Sequence, residues 1–339
     1  MRAIAYSIAG PIEAKDSLFD IEMAEPVLGD RDLLVEVKAI SVNPVDTKVR
    51  RKVSSPDGEW KILGWDAAGT VVGTGRSVQN FKIGDKVYYA GDLTRQGTNA
   101  QRHAVDERIV GHMPKSLDFA PAAALPLTAI TAWEALFDRL DVNRPEPGSD
   151  KSILIIGGAG GVSSIAIQLA RQLTTLKVIA TASNDSSRDW CEKMGAHVVV
   201  DHSVPLAEEI RKHQLAAPEF VFSTTQTEMH LPAIAELIAP QGRFAVIDDP
   251  PVLDINPFKR KSVSVHWEFM FTRSMHQTAD IAEQGKLLNK VASLVDEGKI
   301  KPTLGDHFGR INAANLKRAH AHIESGRAKG KIVLEGFGT

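Results

Sequence analysis

Residues Ser152 to Leu173 read SILIIGGAGGVSSIAIQLARQL, and the rest of the chain is arranged around what that stretch builds. The apolar run Ile153 to Ile156 meets Gly157, Gly158, Gly160 and Gly161. Apolar residues then recur at Val162, Ile165, Ala166, Leu169, Ala170 and Leu173. An uninterrupted apolar run fits a strand buried on both faces, whereas the later spacing is helical, so the period changes at the glycines. The reading is strand, glycine turn, helix. Such a turn aims backbone N–H groups and a helix N-terminus at an anion. Gly158, Gly160 and Ser163 stand at G-x-G-x-x-G spacing with a small residue in the last place, which points to the pyrophosphate of a dinucleotide. FAD, S-adenosylmethionine and a bare loop are the competing readings of the motif taken alone.

The chain has 339 residues, enough for two domains with separate cores. Its formal charge of -2 gives no overall basic field for nucleic acid and no bias toward an anionic membrane. No apolar run approaches the length of a membrane span, and the start MRAIAYSIAG lacks the apolar core and cleavage site of a signal peptide. A cytoplasmic location is the expectation. Cys191 is the only cysteine, which excludes an internal disulfide and any zinc site built from several thiolates.

Before the organising stretch, the chain reads as β-rich. Ala3 to Ile8 and Leu33 to Ala39 are strand-like, the latter alternating Leu33, Val35, Val37 and Ala39 against Leu34, Glu36 and Lys38. Ala68 to Val72 and Lys86 to Tyr89 follow between glycine turns, a spacing that suggests a barrel or sandwich. From about Pro121 the texture turns helical, and Asn143 to Lys151 is a loop. After the organising helix the chain alternates as βαβ units. The expected elements are strands at Val178 to Thr181, His197 to Val200, Phe220 to Phe222, Arg243 to Ile247 and Val263 to Trp267. The helices between them are Ser186 to Met194, Leu206 to His213 and Met229 to Ile238. The expected fold is α/β, with a doubly wound parallel sheet beside the β-rich part. An amphipathic helix, Thr278 to Glu297, and a last strand, Lys331 to Glu335, return to the first domain.

This layout, with Val42-Asn43-Pro44-Val45-Asp46, Gly64-Trp65-Asp66-Ala67-Ala68-Gly69, Pro126 to Trp133 and Gly157 to Ser163, resembles the zinc-free quinone oxidoreductase branch of the medium-chain dehydrogenase/reductase superfamily. The runs GWDAAG, VDERIVGH, APQGRF, PFKRKS and HWEFMFTRSM are similar to a bacterial group of zinc-type alcohol dehydrogenase-like proteins. The resemblance implies a GroES-like catalytic domain over 1–125 and 272–339 and a Rossmann NADP-binding domain over 126–271. It also implies a homodimer paired through the cofactor domain's sheet edge.

Zinc is not expected despite the group's name. The cysteine of the superfamily's zinc site is replaced within Asn43 to Asp46, and its Gly-His-Glu reads Gly64-Trp65-Asp66. His320 and His322, and His197 and His202, are read as solvated or hydrogen-bonded side chains rather than ligands. Without a Lewis acid an unactivated alcohol is hard to oxidise. A quinone or an α,β-unsaturated carbonyl, which carries its own electron sink, accepts hydride more easily.

The resemblance places Asn43 and Asp46 beside nicotinamide and substrate, with Asn43 as a donor to the carbonyl. It sets Thr128 and Thr131 at the nicotinamide ribose and carboxamide, and Gly158, Ala159, Gly160, Gly161 and Val162 around the pyrophosphate. Ile247 and Phe269 lie in stretches that pass the nicotinamide, and Arg327 and Lys331 form a basic pair near the cofactor. The second strand ends in Thr181-Ala182-Ser183-Asn184 with no carboxylate for ribose hydroxyls, which favours NADPH. Ser183, Ser187 and Arg188 are the candidates for its phosphate. Lys48, Tyr88 and Tyr89 are weak candidates for a proton donor, and none is assigned. Cys191 is read as packing, and Trp65, Trp267 and Phe269 as either a substrate slot or core. The expectation is an NADPH-dependent, zinc-independent reductase of a small quinone or enone, with no membrane or nucleic-acid partner. A zinc alcohol dehydrogenase and an NADPH-binding protein with little turnover are the alternatives.

Overall fold

The computed structural model describes residues 1–146 and 150–338. Part of the expected loop Asn143 to Lys151 therefore lies outside the described residues. Two compact units are present, Met1–Ile130 with Phe271–Thr339, and Thr131–Met270.

In the first unit the strand Asp32–Val42 is the hub. Its alternation holds as read, with Leu33, Val35, Val37 and Ala39 buried between half-exposed neighbours. Antiparallel partners are Ala67–Thr74, Arg102–Asp106 and the returning Lys331–Glu335, whose register sets Ile332 opposite Val42. Lys86–Tyr89, Val110–His112 and Leu304–His307 complete a seven-stranded sheet, and Phe19–Glu22, Arg2–Tyr6 and Lys61–Ile62 form a smaller one. Several of these strands were not legible as strands. Phe19–Glu22 and Leu304–His307 are short and mostly solvent-facing, so burial imposes little apolar pattern on them.

The helix expected over Thr278 to Glu297 is shorter, Glu283–Asp296, and a separate turn of helix covers Thr272–Met275. Gln277 lies in the left-handed region at φ 47°, and the Thr278 hydroxyl bonds Asp280 at 2.6 Å, so the chain turns between them. The expectation that no apolar stretch has span length is also corrected. The helical run Phe119–Arg139 is long and apolar enough to cross a membrane, but it is mostly buried inside the protein, as in a core helix.

The second unit is a six-stranded, fully parallel sheet. Its order is Val198–Asp201, Lys177–Ala182, Ser152–Ile156, Phe220–Ser223, Arg243–Val246 and Ser264–Trp267. Strand order reverses at Ser152–Ile156, the chain's first strand in this unit. Ligands of open parallel sheets bind outside the carboxyl ends of the strands at such a reversal. The helix Asp185–Met194 ends at Gly195, whose φ of 105° is the left-handed cap that glycine accepts without strain.

Gly158 is required by space. A Cβ there would stand 2.7 Å from Cys191 Sγ, 2.9 Å from Ala180 Cβ and 2.9 Å from the Thr181 carbonyl oxygen. Gly158→Val is expected to cost about 1–3 kcal/mol in urea unfolding, Gly158→Ala less, and Cys191→Ala should recover part of the loss in the Ala background.

Candidate active site and dinucleotide cradle

In the first unit, strand Asp32–Val42 ends where Pro44 starts the helix Pro44–Lys52. Proline at the first helical position loses no hydrogen bond, and Asn43 caps the helix in extended backbone. The Asn43 N–H donates to Asp46 Oδ2 at 2.7 Å, which fixes the first turn. Burial pushes the Asp46 carboxyl up to about 7, against the Asn43 N–H that favours the anion.

Behind this turn, a second carboxylate gathers the site. Asp66 is fully buried. Its Oδ1 accepts from the Leu127 N–H at 2.7 Å, and its Oδ2 from the Asn43 amide at 2.9 Å and the Lys331 ammonium at 3.0 Å. Lys331 also donates to the Val42 carbonyl at 3.2 Å and to Asn43 Oδ1. An ammonium has three donors, and here all three are taken. Burial pushes the Asp66 carboxyl above its ordinary value, opposed first by Lys331 and then by the Leu127 N–H and the Asn43 amide.

Two sequence expectations change accordingly. Lys331 was expected at the cofactor beside Arg327, but it is 3% exposed and spent on internal oxygens, while Arg327 is exposed. Asn43 was expected to donate to a substrate carbonyl, but its amide is engaged with Asp66 and Lys331 in the interior. Tyr88 and Tyr89 are buried, their hydroxyls bonded to the Leu288 carbonyl at 2.6 Å and His103 Nδ1 at 3.1 Å. Burial raises both phenols, so neither delivers a proton to substrate. Lys48 is exposed. Trp65 is buried edge-on to Phe271, and is core rather than slot. Thr128 is buried and donates to the Leu125 carbonyl at 3.1 Å, the local bond of a hydroxyl at a helix start.

The second unit supplies the cradle. Gly157, with φ 79°, and Gly158 donate to Thr181 Oγ1 at 3.0 Å and to the Thr181 carbonyl at 2.9 Å. Gly160 caps the helix Gly161–Leu173, so Gly161, Val162 and Ser163 stand in its first turn, where N–H groups have no partner within the helix. Ala159 lies between the glycines. Ser163, buried, bonds Thr224 Oγ1 at 3.0 Å, and Thr224 bonds the Ile156 carbonyl at 2.8 Å. Helix, turn and two strand ends are thereby held around a helix N-terminus, and the residues present fit a dinucleotide pyrophosphate.

At the end of Lys177–Ala182, Ser183 is exposed and Asn184 caps the next helix by accepting from the Ser187 N–H at 3.0 Å. Arg188 turns to the neighbouring strand, donating to the Val199 carbonyl at 2.5 Å. Thr131 is buried, Ile247 half-buried, and Phe269 and Trp267 are 48% and 54% exposed. Cys191 packs under Gly158, and burial pushes its thiol up to about 12. Thr224 and Thr227, whose N–H donates to Asp248 Oδ2 at 2.9 Å, escaped sequence reading, and Thr181 is legible only as part of a strand end without a carboxylate. Their one signal was position, just after the apolar core of a parallel strand.

Comparison with known proteins agrees with this geometry. Residues 29–117 match the alcohol dehydrogenase GroES-like domain, and residues 194–334 match a zinc-binding dehydrogenase family. A zinc-type alcohol dehydrogenase-like protein of Staphylococcus aureus (strain MSSA476) is 38% identical over 98% of this chain and 99% of its own. The chain belongs to the medium-chain dehydrogenase/reductase superfamily. A crystal structure of a Rhizobium etli CFN 42 protein assigned to the zinc-dependent alcohol dehydrogenases superposes with TM-score 0.98 at 59% identity, covering 100% of this chain and 99% of that one. An NADPH-dependent alkenal/one oxidoreductase of Arabidopsis thaliana is 27% identical over 98% of this chain and 79% of its own. This member of the superfamily is an oxidoreductase with a nicotinamide-dinucleotide fold.

Its residues do not fit the zinc that the names of some relatives mention. Both oxygens of Asp66 are engaged, Trp65 stands where a histidine would be needed, and Cys191 is buried in the other unit. Among the described residues no three His, Cys, Asp or Glu side chains are grouped to hold a metal ion. The cation at Asp66 is Lys331 itself. Lys331→Met leaves that carboxyl buried without a counter-charge, at an expected cost of about 3–5 kcal/mol at pH 8. Because the orphaned carboxyl then prefers a proton, with its folded pKa raised above the unfolded value, the loss should shrink as pH falls toward 5, and Asp66→Asn in the same chain should restore stability at pH 8.

Proposed function

We propose that this protein is an NADPH-dependent, zinc-independent reductase that delivers hydride to a quinone or an α,β-unsaturated carbonyl. The observation that carries the reading is the closure of Asp66 by Lys331, Asn43 and the Leu127 N–H. A site whose carboxylate is saturated by its own ammonium offers no Lewis acid to stabilise an alkoxide, so alcohol oxidation loses its main catalytic device. Bound NADPH supplies the hydride. A conjugated acceptor spreads the arriving charge onto its oxygen, and solvent supplies the proton. What the chain contributes is position, with Thr131 and the glycine turn for the dinucleotide.

NADPH is favoured by the uncharged end of Lys177–Ala182, where Ser183 is exposed and the neighbouring Asn184 and Ser187 close a polar turn. The Arabidopsis relative's name supports both the cofactor and the substrate class. A cytoplasmic homodimer completes the reading. Ser264–Trp267 is an outer strand of the parallel sheet with Trp267 54% exposed, the kind of edge a second copy would cover.

Initial rates of NADPH oxidation with an ortho-quinone and a simple enone test the proposal. Turnover should survive exhaustive chelation to within about twofold. Activity lost on chelation and restored by zinc would make the protein a zinc enzyme. Tight NADPH binding with no turnover on either acceptor would make it a binding protein.

Ser183→Asp places a carboxylate against the expected 2′-phosphate. Its KM for NADPH should rise at least about tenfold while the KM for NADH stays level or falls, measured by steady-state kinetics with both cofactors.

A further inference from the structure

The carboxyl ends of three neighbouring strands of the second unit meet at the first glycine of the turn. Ile156 ends the strand Ser152–Ile156, and Gly157 follows it with φ 79°. The parallel register sets Ile179 opposite Leu154 and Ala180 opposite Ile155, so Thr181 comes level with Ile156. On its other side Thr181 stands opposite Val200, and His202 follows Asp201 just past the end of Val198–Asp201. Strand order thus sets a glycine N–H, a hydroxyl and an imidazole in one row.

The row is bonded throughout. Gly157 N–H donates to Thr181 Oγ1 at 3.0 Å, and His202 Nδ1 lies 2.7 Å from the same oxygen. Thr181 is fully buried, so its hydroxyl hydrogen needs an acceptor within the protein. Among the described residues, the acceptor bonded to it is His202 Nδ1. The arrangement that leaves none of these hydrogens unbonded has Gly157 N–H donating to the Thr181 oxygen and Thr181 O–H donating to a neutral imidazole, which carries its own hydrogen on Nε2. A proton on Nδ1 would set a second donor against the hydroxyl and orphan the hydroxyl's hydrogen. Thr181 also takes the Gly158 N–H on its carbonyl at 2.9 Å, so this one residue fixes the first two glycines of the turn.

The groups around His202 are accounted for. The Asp201 carboxylate accepts from the Ser203 N–H and hydroxyl at 2.8 and 2.7 Å, while the Asp201 N–H donates to Glu209, which is paired with Lys212. Arg188 donates to the Val199 carbonyl. From the helix Thr227–Leu237, the His230 ring lies 5.7 Å from that of His202, and Asp248 accepts from the Thr227 N–H at 2.9 Å. Burial holds both imidazoles below their ordinary value, opposed by Asp201 at His202 and by Asp248 at His230.

We propose that His202 is a positioning residue of the dinucleotide turn, its neutral imidazole fixing the Thr181 hydroxyl and the hydroxyl in turn fixing the Gly157 N–H from which the turn begins. The relay rests on the reading of the chain as an NADPH reductase. His202 touches no cofactor in this role. A proton on Nδ1 breaks the row, so a charged imidazole loosens the cradle instead of drawing in a phosphate.

Titration calorimetry of the full chain with NADP+ from pH 8 to pH 5 tests it, read as the ratio of the wild-type dissociation constant to that of His202→Asn. The asparagine amide oxygen accepts from the Thr181 hydroxyl without titrating, and the ratio cancels the titration of the ligand's own phosphate. An ordinary imidazole titrates near about 6.5 and this one lower, so the ratio should be level from pH 8 to 7 and rise about threefold or more by pH 5. NAD+, which has the pyrophosphate and lacks the 2′-phosphate, should give the same rise. At pH 8, His202→Phe should weaken NADP+ binding about five- to tenfold in the wild-type background, and less than about twofold in a Thr181→Val background. A ratio that stays constant to pH 5 would overturn the relay. So would a ratio that falls with NADP+ and not with NAD+, because the imidazolium would then be meeting the phosphate itself.

A second readout needs no cofactor. The folded-state pKa of His202 lies below the unfolded one, so the stability owed to the neutral imidazole is present above about pH 6.5 and is lost as pH falls through the folded value. The melting temperature of the wild type minus that of His202→Asn should therefore be level above pH 7 and fall toward pH 5. Such a fall with no binding of NADP+ or NAD+ would support the bond of Thr181 with His202 and overturn the cofactor reading. No fall would overturn the relay itself.

Discussion

A carboxylate in a dry interior needs its charge balanced and both oxygens bonded, and Asp66 meets that requirement with groups from three other parts of the chain. Asn43 comes from the end of the long strand, Lys331 from the start of the last one, Leu127 from the start of a helix, and Asp66 itself from the turn before Ala67–Thr74. The pairing of Ile332 with Val42 brings Lys331–Glu335 into register with Asp32–Val42, so the lysine one residue earlier arrives beside Asn43. A one-residue slip would turn Lys331 to the opposite face of the sheet and leave Asp66 alone. Packing of the first unit and the geometry of its site are therefore the same problem, solved by one ion pair.

Buried charge is handled in three ways within this chain. Asp66 is balanced by an ammonium. Glu268 is balanced by Arg139, whose Nε donates to it at 2.9 Å. Arg50, fully buried, is balanced by Glu324 at 2.5 Å and the Gly10 carbonyl at 2.7 Å, while its Nε donates to His320, which burial pushes down to about 3 and so keeps neutral. The Arg50 arrangement ties the helix that starts at Pro44 to the helix Ala313–Glu324, which leads into the strand of Lys331. A break in it would act on the site only through those two helices.

The elements that face no water were the legible ones. Ser152–Ile156, the glycine turn and Gly161–Leu173 stand where the change of period put them, because full burial leaves an uninterrupted apolar run and a helix then needs its own repeat. Gly195 marked the end of its helix for a reason local to that residue. Strands such as Phe19–Glu22 left little trace, since a mostly exposed edge selects no pattern. At the site, residue types were legible and directions were not. Lys331 lies in a basic run that reads as surface, yet strand pairing with Val42 turns it inward. The ion pair of Arg139 with Glu268 joins residues far apart in sequence, which no local spacing encodes.

Names that mention zinc among the relatives follow the fold, while chemistry follows the residues set upon it. In this chain the cation beside Asp66 is covalently part of the protein, and its three hydrogens are committed to Val42, Asn43 and Asp66. Such a cation steadies a backbone and a capping turn, but it has no vacant coordination position for a substrate oxygen. The ion pair that gathers these segments thus leaves neither oxygen of Asp66 open to an added ligand.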